Sequence, residues 1–148
     1  MNRRLLRDED GTTLLLTIFY GVLALVLILL VVAATSLYLE RKRLFTLADG
    51  AALVGAEAFE LDDVVVTADI PRVELRSPDV AAAVSHYLAS APDAADFEQL
   101  AVERAESVDG RSATVTLSAF WRPPIVSLLV PEGFPLEVTA NARSVFGR

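Results

Sequence analysis

From Leu14 to Leu39 the chain runs for 26 residues without a charged side chain. As a helix rising about 1.5 Å per residue, that stretch reaches roughly 39 Å, beyond the ~30 Å hydrocarbon core of a bilayer. Its polar members are mild ones: Thr17, Tyr20, Thr35, Ser36 and Tyr38. Lipid offers no water to a bare backbone, and a helix satisfies its own N–H and C=O groups. The sequence therefore predicts one spanning helix at residues 14–39, after a short N-terminal segment at 1–13.

A cleaved secretory signal is the competing reading. Such signals have apolar cores of roughly 7–15 residues, and this run is far longer. Ala33-Ala34-Thr35-Ser36 resembles a cleavage region, but the run closes on Glu40, Arg41, Lys42 and Arg43, the basic collar of an anchor. The anchor reading is preferred, with the chain in the inner (cytoplasmic) membrane as a single-pass protein.

Orientation is less constrained by the flanks. Arg3, Arg4 and Arg7 precede the helix, while Arg41, Lys42 and Arg43 follow it, a tie under the positive-inside rule. The remainder is lopsided: residues 44–148 hold seven Arg and sixteen Asp or Glu, a net of −9, against +2 for residues 1–43. An acidic domain argues against nucleic acid and anionic lipid surfaces as partners. A long tail crosses a membrane largely regardless of charge. The expectation is a cytoplasmic N-terminus and an extracytoplasmic C-terminal domain at 62–148.

That domain contains no cysteine, so neither a disulfide nor a thiolate metal site is available to it. Its size suits one modest core. Beyond the collar, Leu44, Leu47, Ala48, Ala51, Gly55 and Ala58 recur at helical spacing, predicting an amphipathic continuation over 40–61 that Leu61-Asp62-Asp63 ends. The full helix is expected from Thr12 to Glu60. Ala48, Ala52 and Ala56 fall four apart, which admits either a helix–helix assembly seam or close packing on the chain's own sheet.

Downstream, Val64 to Ile70 reads as a strand or extended segment stopped by Pro71. Ser77-Pro78-Asp79 reads as a helix start with Ser77 as N-cap, and Val80, Val84, Tyr87, Leu88 and Ala91 mark the buried side. His86, the only histidine, lies beside that stripe as a surface or half-buried side chain. Leu100–Val108 leads through Asp109-Gly110, a hairpin dipeptide, into strict alternation from Ser112 to Trp121. A last strand alternates from Leu136 to Arg143. Between them Pro123–Pro131 is an apolar stretch fenced by prolines, expected to be a crossover or a short helix begun at Pro124. It could serve as a contact loop for a partner or membrane, or as a cover for the core. The predicted fold class is α+β: a long N-terminal helix packed on a small antiparallel sheet, with one additional helix.

No nucleophile elbow, zinc-binding helix, phosphate loop or dinucleotide signature occurs, and one histidine cannot build a His-rich metal site. Carboxylates at Asp62, Asp63, Asp93, Asp96 and Glu98 have no ligand spacing. The reading is of a non-enzyme without cofactor or metal.

Three stretches resemble the TadE/TadG-like proteins of tight-adherence (Flp-type IV) pilus assembly. They are Asp8-Glu9-Asp10-Gly11-Thr12-Thr13, Tyr38-Leu39-Glu40-Arg41-Lys42-Arg43-Leu44, and Ala48-Asp49-Gly50-Ala51-Ala52-Leu53-Val54-Gly55-Ala56. The tail, with its alternating strands around Trp121–Pro135, is similar to the TadE-type ending. The resemblance implies a pilin-like shape and a minor-pilin, pseudopilin or scaffold role. Its partners would be other pilins and the inner-membrane components of a Tad-type machine, with homo-oligomers through helix packing. In pilins a peptidase cuts after a glycine and leaves glutamate at the fifth mature position. A cut after Gly11 would put Leu16 there, so an uncleaved anchor is preferred.

Without a charged pair in the bilayer, assembly would rest on close packing. Gly21 and Ala24 form a notch, and Ala48, Ala52, Gly55 and Ala56 form a second row; together they are the candidate seam. The alternative function is a membrane-anchored binding module or envelope sensor unrelated to pili.

Overall fold

A computed structural model of the chain describes residues 6–59, 64–67, 70–123 and 131–144. It divides into two units, Met1–Leu37 and Tyr38–Arg148. One helix, α1, runs from Leu6 to Ala56 and contributes to both.

α1 begins before Thr12. Its first turn starts at Leu6. It also stops before Glu60. The Glu57 amide donates to the carbonyls of both Leu53 and Val54, and Ala58 donates to Gly55. That tightening from i−4 to i−3 bonds closes the helix at Ala56. The Leu61-Asp62-Asp63 stop lies outside the described residues.

The second unit is α+β. After α1 come β1 (Val64–Thr67), β2 (Ile70–Val73), α2 (Ser77–Ser90), a 3-10 turn (Pro92–Asp96), β3 (Glu98–Glu106), β4 (Ser112–Trp121) and β5 (Phe134–Arg143). β3, β4 and β5 form a three-stranded antiparallel sheet in that order. α1 and α2 pack on it, and the core lies between helices and sheet. β4 faces inward through Ala113, Val115, Leu117, Ala119 and Trp121, and β5 through Leu136, Val138, Ala140 and Ala142. These are the two alternating sets expected from the sequence. Leu44, Leu47, Ala48, Ala51 and Ala52 of α1, with Val80 and Val84 of α2, meet them. Each fully buried Leu or Val contributes about 1.5–3 kcal/mol, which a lone three-stranded sheet could not collect without helices over it.

Four local expectations are corrected. Pro71 does not stop a strand: it sits inside β2, opposite Val66. In a two-stranded ribbon each strand has an outer edge, where a missing N–H breaks no ladder bond. Ser77 does not cap α2. Arg76 occupies the N-cap position without a side-chain bond. The Ser77 hydroxyl instead donates to the Ser107 carbonyl at 3.0 Å and accepts from the Ser107 amide at 3.1 Å, fastening α2 to the end of β3. β3 starts at Glu98 and is irregular, with register shifts between Glu98 and Ala101 and between Val102 and Arg104; Gln99 there has φ of 53°. The connection from Trp121 to Phe134 is no crossover. Those two residues pair directly across adjacent antiparallel strands, so the segment leaves and re-enters the same sheet end as a wide hairpin. Residues 124–130 lie outside the described residues.

The β3–β4 hairpin turns at Asp109-Gly110 as its sequence requires. Gly110 has φ of +67°, a left-handed conformation that glycine adopts without strain. Asp109 accepts the amides of Arg111 (2.9 Å) and Ser112 (2.7 Å) and the Ser112 hydroxyl (2.9 Å). The Arg111 amide, then the Ser112 amide and hydroxyl, hold its carboxyl down at about 2, against an ordinary 3.8. A depressed carboxylate stabilises the fold above its unfolded pKa and loses that contribution as pH falls through its folded one. Asp109→Asn should therefore melt below the wild type at neutral pH. The gap in melting temperature should close only between pH 3.8 and about 2, as followed by circular dichroism.

Candidate functional site: the exposed apolar helix

In the first unit, α1 has no polar face. Leu14, Ile18, Val22, Leu25, Leu29 and Val32 follow one line along the helix, and Leu15, Phe19, Leu23, Val26 and Leu30 follow the next. Leu14 is 64% exposed and Leu30 63%, and the residues between are nearly all exposed as well. A helix that is apolar all round belongs in a protein core or in lipid, and among the described residues nothing buries this one. One helix, Thr12–Ala56, is long and apolar enough to cross a membrane, with a mean hydropathy of 3.0 in its most apolar window. Two of its threonine hydroxyls turn inward on the helix itself. Thr17 donates to the Thr13 carbonyl at 2.8 Å and Thr35 to Val31 at 2.9 Å, which lowers the cost of placing them in lipid.

The six candidate seam residues separate into two environments. Gly21 and Ala24 are exposed, and a Cβ at Gly21 would meet no atom within 4 Å. Ala48, Ala52, Gly55 and Ala56 are buried inside the second unit. A Cβ at Gly55 would lie 3.1 Å from Val80, 3.3 Å from Ala113 and 3.4 Å from Val84. At that crossing α1, α2 and β4 converge, and the small side chains there already serve the chain's own packing.

His86 is exposed on α2, and among the described residues no group of three His, Cys, Asp or Glu side chains is placed to hold a metal. Two contacts escaped sequence reading. Tyr87 lays its ring tip over Gly50, where any Cβ would strike the hydroxyl. Arg122 joins Glu98 at 3.3 Å and donates to the Glu132 carbonyl at 3.4 Å. Gly133, with φ of +74°, lets the chain pass close to the Arg122 side chain. The one cue was that glycine, set between Glu132 and the first residue of the last strand.

The apolar helix, the collar and the small-residue face of α1 coincide with a known family segment. Residues 11–58 match the Tad family model, described as Flp pilus-assembly TadE/G-like. No curated protein and no solved structure matches the chain significantly. The match takes in the apolar helix, the collar and the Ala48–Ala56 stretch, and it ends before the sheet. A Tad segment on an exposed apolar helix fits a membrane-anchored component of a pilus-assembly system.

The apolar content of α1 sets how much damage the helix should tolerate. On an insertion scale each Leu, Ile, Val or Phe contributes about −0.3 to −0.6 kcal/mol, and a central Arg costs about 3. Leu14–Val32 thus outweighs one arginine but not comfortably two. Leu25→Arg should remain in carbonate-washed membranes, whereas Leu25→Arg with Ile28→Arg should shift into the soluble fraction.

Proposed function

We propose that this protein is a non-enzymatic, membrane-anchored structural component of a tight-adherence pilus system, acting as a minor pilin or assembly scaffold. One observation carries the reading: the segment that matches the Tad family includes the all-round apolar, exposed stretch of α1. The helix anchors the chain in the inner membrane. The N-terminus lies in the cytoplasm, and the acidic α+β domain lies outside. The acids before Gly11 and Leu16 at the would-be fifth position favour an anchor that is not cut after Gly11.

Partners in this reading are other pilin-like chains and inner-membrane components of the same machine. The surface offered to them in the bilayer is the Gly21–Ala24 notch, where a second helix can approach closely. The buried row from Ala48 to Ala56 is already committed to the internal fold.

Two experiments test this. Sheared filaments and membranes should be separated and the intact mass of the chain measured in each. Full-length protein confined to the membrane supports the scaffold; a chain starting at Thr12 in the filaments makes it a processed subunit; absence of the chain from both fractions overturns the assignment. Second, Gly21→Leu should abolish co-purification with pilin partners while leaving the melting of the domain unchanged. Gly55→Leu should instead destabilise the domain by about 3 kcal/mol through overpacking. Normal association of the Gly21→Leu variant would remove the notch from the proposal.

A further inference from the structure

Two ion pairs bring one end of the second unit to a common level. Arg43 of α1 meets Asp96 at 3.1 Å, and Arg122, next after β4, meets Glu98 at 3.3 Å. Only Phe97 separates the two acids in sequence. The collar end of α1 and the Trp121–Phe134 end of the sheet are therefore side by side. Trp121 is buried, but its ring neighbour Phe134, with centroids 6.1 Å apart, is 43% exposed. One helical turn before Arg43, Tyr38 and Leu39 are 65% and 53% exposed.

We propose that this end of the unit, through Tyr38, Leu39, Arg41, Lys42, Arg122 and Phe134, is a second lipid-contacting surface that rests in the headgroup region of the bilayer. The inference builds on the anchor reading. If Leu14–Leu39 spans the membrane, the boundary between lipid and water falls at Leu39–Arg43, and Phe134 belongs to the same end of the second unit as those residues. Aromatic rings and basic side chains are the groups that favour this layer, and long Lys and Arg side chains reach its phosphates. Asp96 and Glu98 meet Arg43 and Arg122 rather than presenting bare carboxylates to those phosphates. The opposite end of the sheet makes no such match. It carries Val108 and Asp109, a strand length of about 25–30 Å away.

Trp121 is the only tryptophan in the chain, which makes the test direct. The full-length protein is placed in phosphatidylcholine nanodiscs with and without acyl-chain bromine, a short-range quencher. In a Trp121→Phe background, tryptophan is introduced singly at Phe134, at Val108 and at Leu25. The expected result is loss of emission at 134 and 25 and none at 108, with wild-type Trp121 partly quenched as a reading that needs no substitution. Emission at 134 that stays as bright as at 108, while 25 is quenched, overturns the surface contact and leaves the anchor standing. Unquenched emission at 25 overturns both. Circular dichroism of each variant establishes that the domain is folded.

Discussion

One helix has to satisfy two solvents. Along α1 the apolar side chains first point in every direction; past Arg43 one face of Leu44, Leu47, Ala48, Ala51, Ala52 and Ala56 is buried, while Phe45, Leu53 and Val54 stay exposed. Nothing but the change in pattern marks the transition, because helical backbone bonding continues across it. The first stretch demands an environment without water on any side. The second supplies one wall of a core and leaves Lys42, Thr46 and Asp49 in water. The sheet, α2 and the turns are arranged around that second stretch.

Close approach is what makes the second stretch work. The face of α1 toward β4 and α2 is built from alanine and glycine, with Leu44 and Leu47 near its start. Small side chains let the helix backbone come near the sheet, so that Val80, Val84 and Ala113 crowd the position of Gly55. A glycine in a helix interior costs about 1 kcal/mol against alanine, a cost offset here by contacts that a Cβ would have displaced. The same composition in a sequence cannot say whether the neighbour is another molecule or another part of the chain. That ambiguity in Ala48–Ala56 ends only when the partners are seen.

Periodicity carried most of the fold. The period-two alternation of Ser112–Trp121 and Leu136–Arg143 named the inward residues of both strands, and Asp109-Gly110 marked the hairpin from β3 into β4. The helical spacing of Leu44, Leu47, Ala48 and Ala51 named the face that covers them. The apolar stretch and the collar named the segment that the family match later covered. What periodicity could not carry were contacts between distant residues. Ser77 has the chemistry of a cap, but Ser107 competes for its hydroxyl. The Arg122–Glu98 pair and the close passage at Gly133 join residues far apart in sequence. Pro71 misled because a strand-breaking rule for sheet interiors does not hold in a ribbon with two edges.

Its contacts fix the direction of α1 relative to the strands of the second unit. Gly55 lies beside Ala113 at the start of β4, while Arg43 reaches Asp96, near Glu98, which pairs with Phe120 at the other end. This part of α1 therefore runs antiparallel to β4 and parallel to β5. β5 is an edge strand, ten residues long and regular in register, the kind of edge that invites pairing with another chain. Its alternate residues from Glu137 to Arg143 would even complement themselves in charge if two copies paired antiparallel about Ala140. That pairing would turn the Arg43–Gly55 part of one α1 end for end relative to that of the other copy.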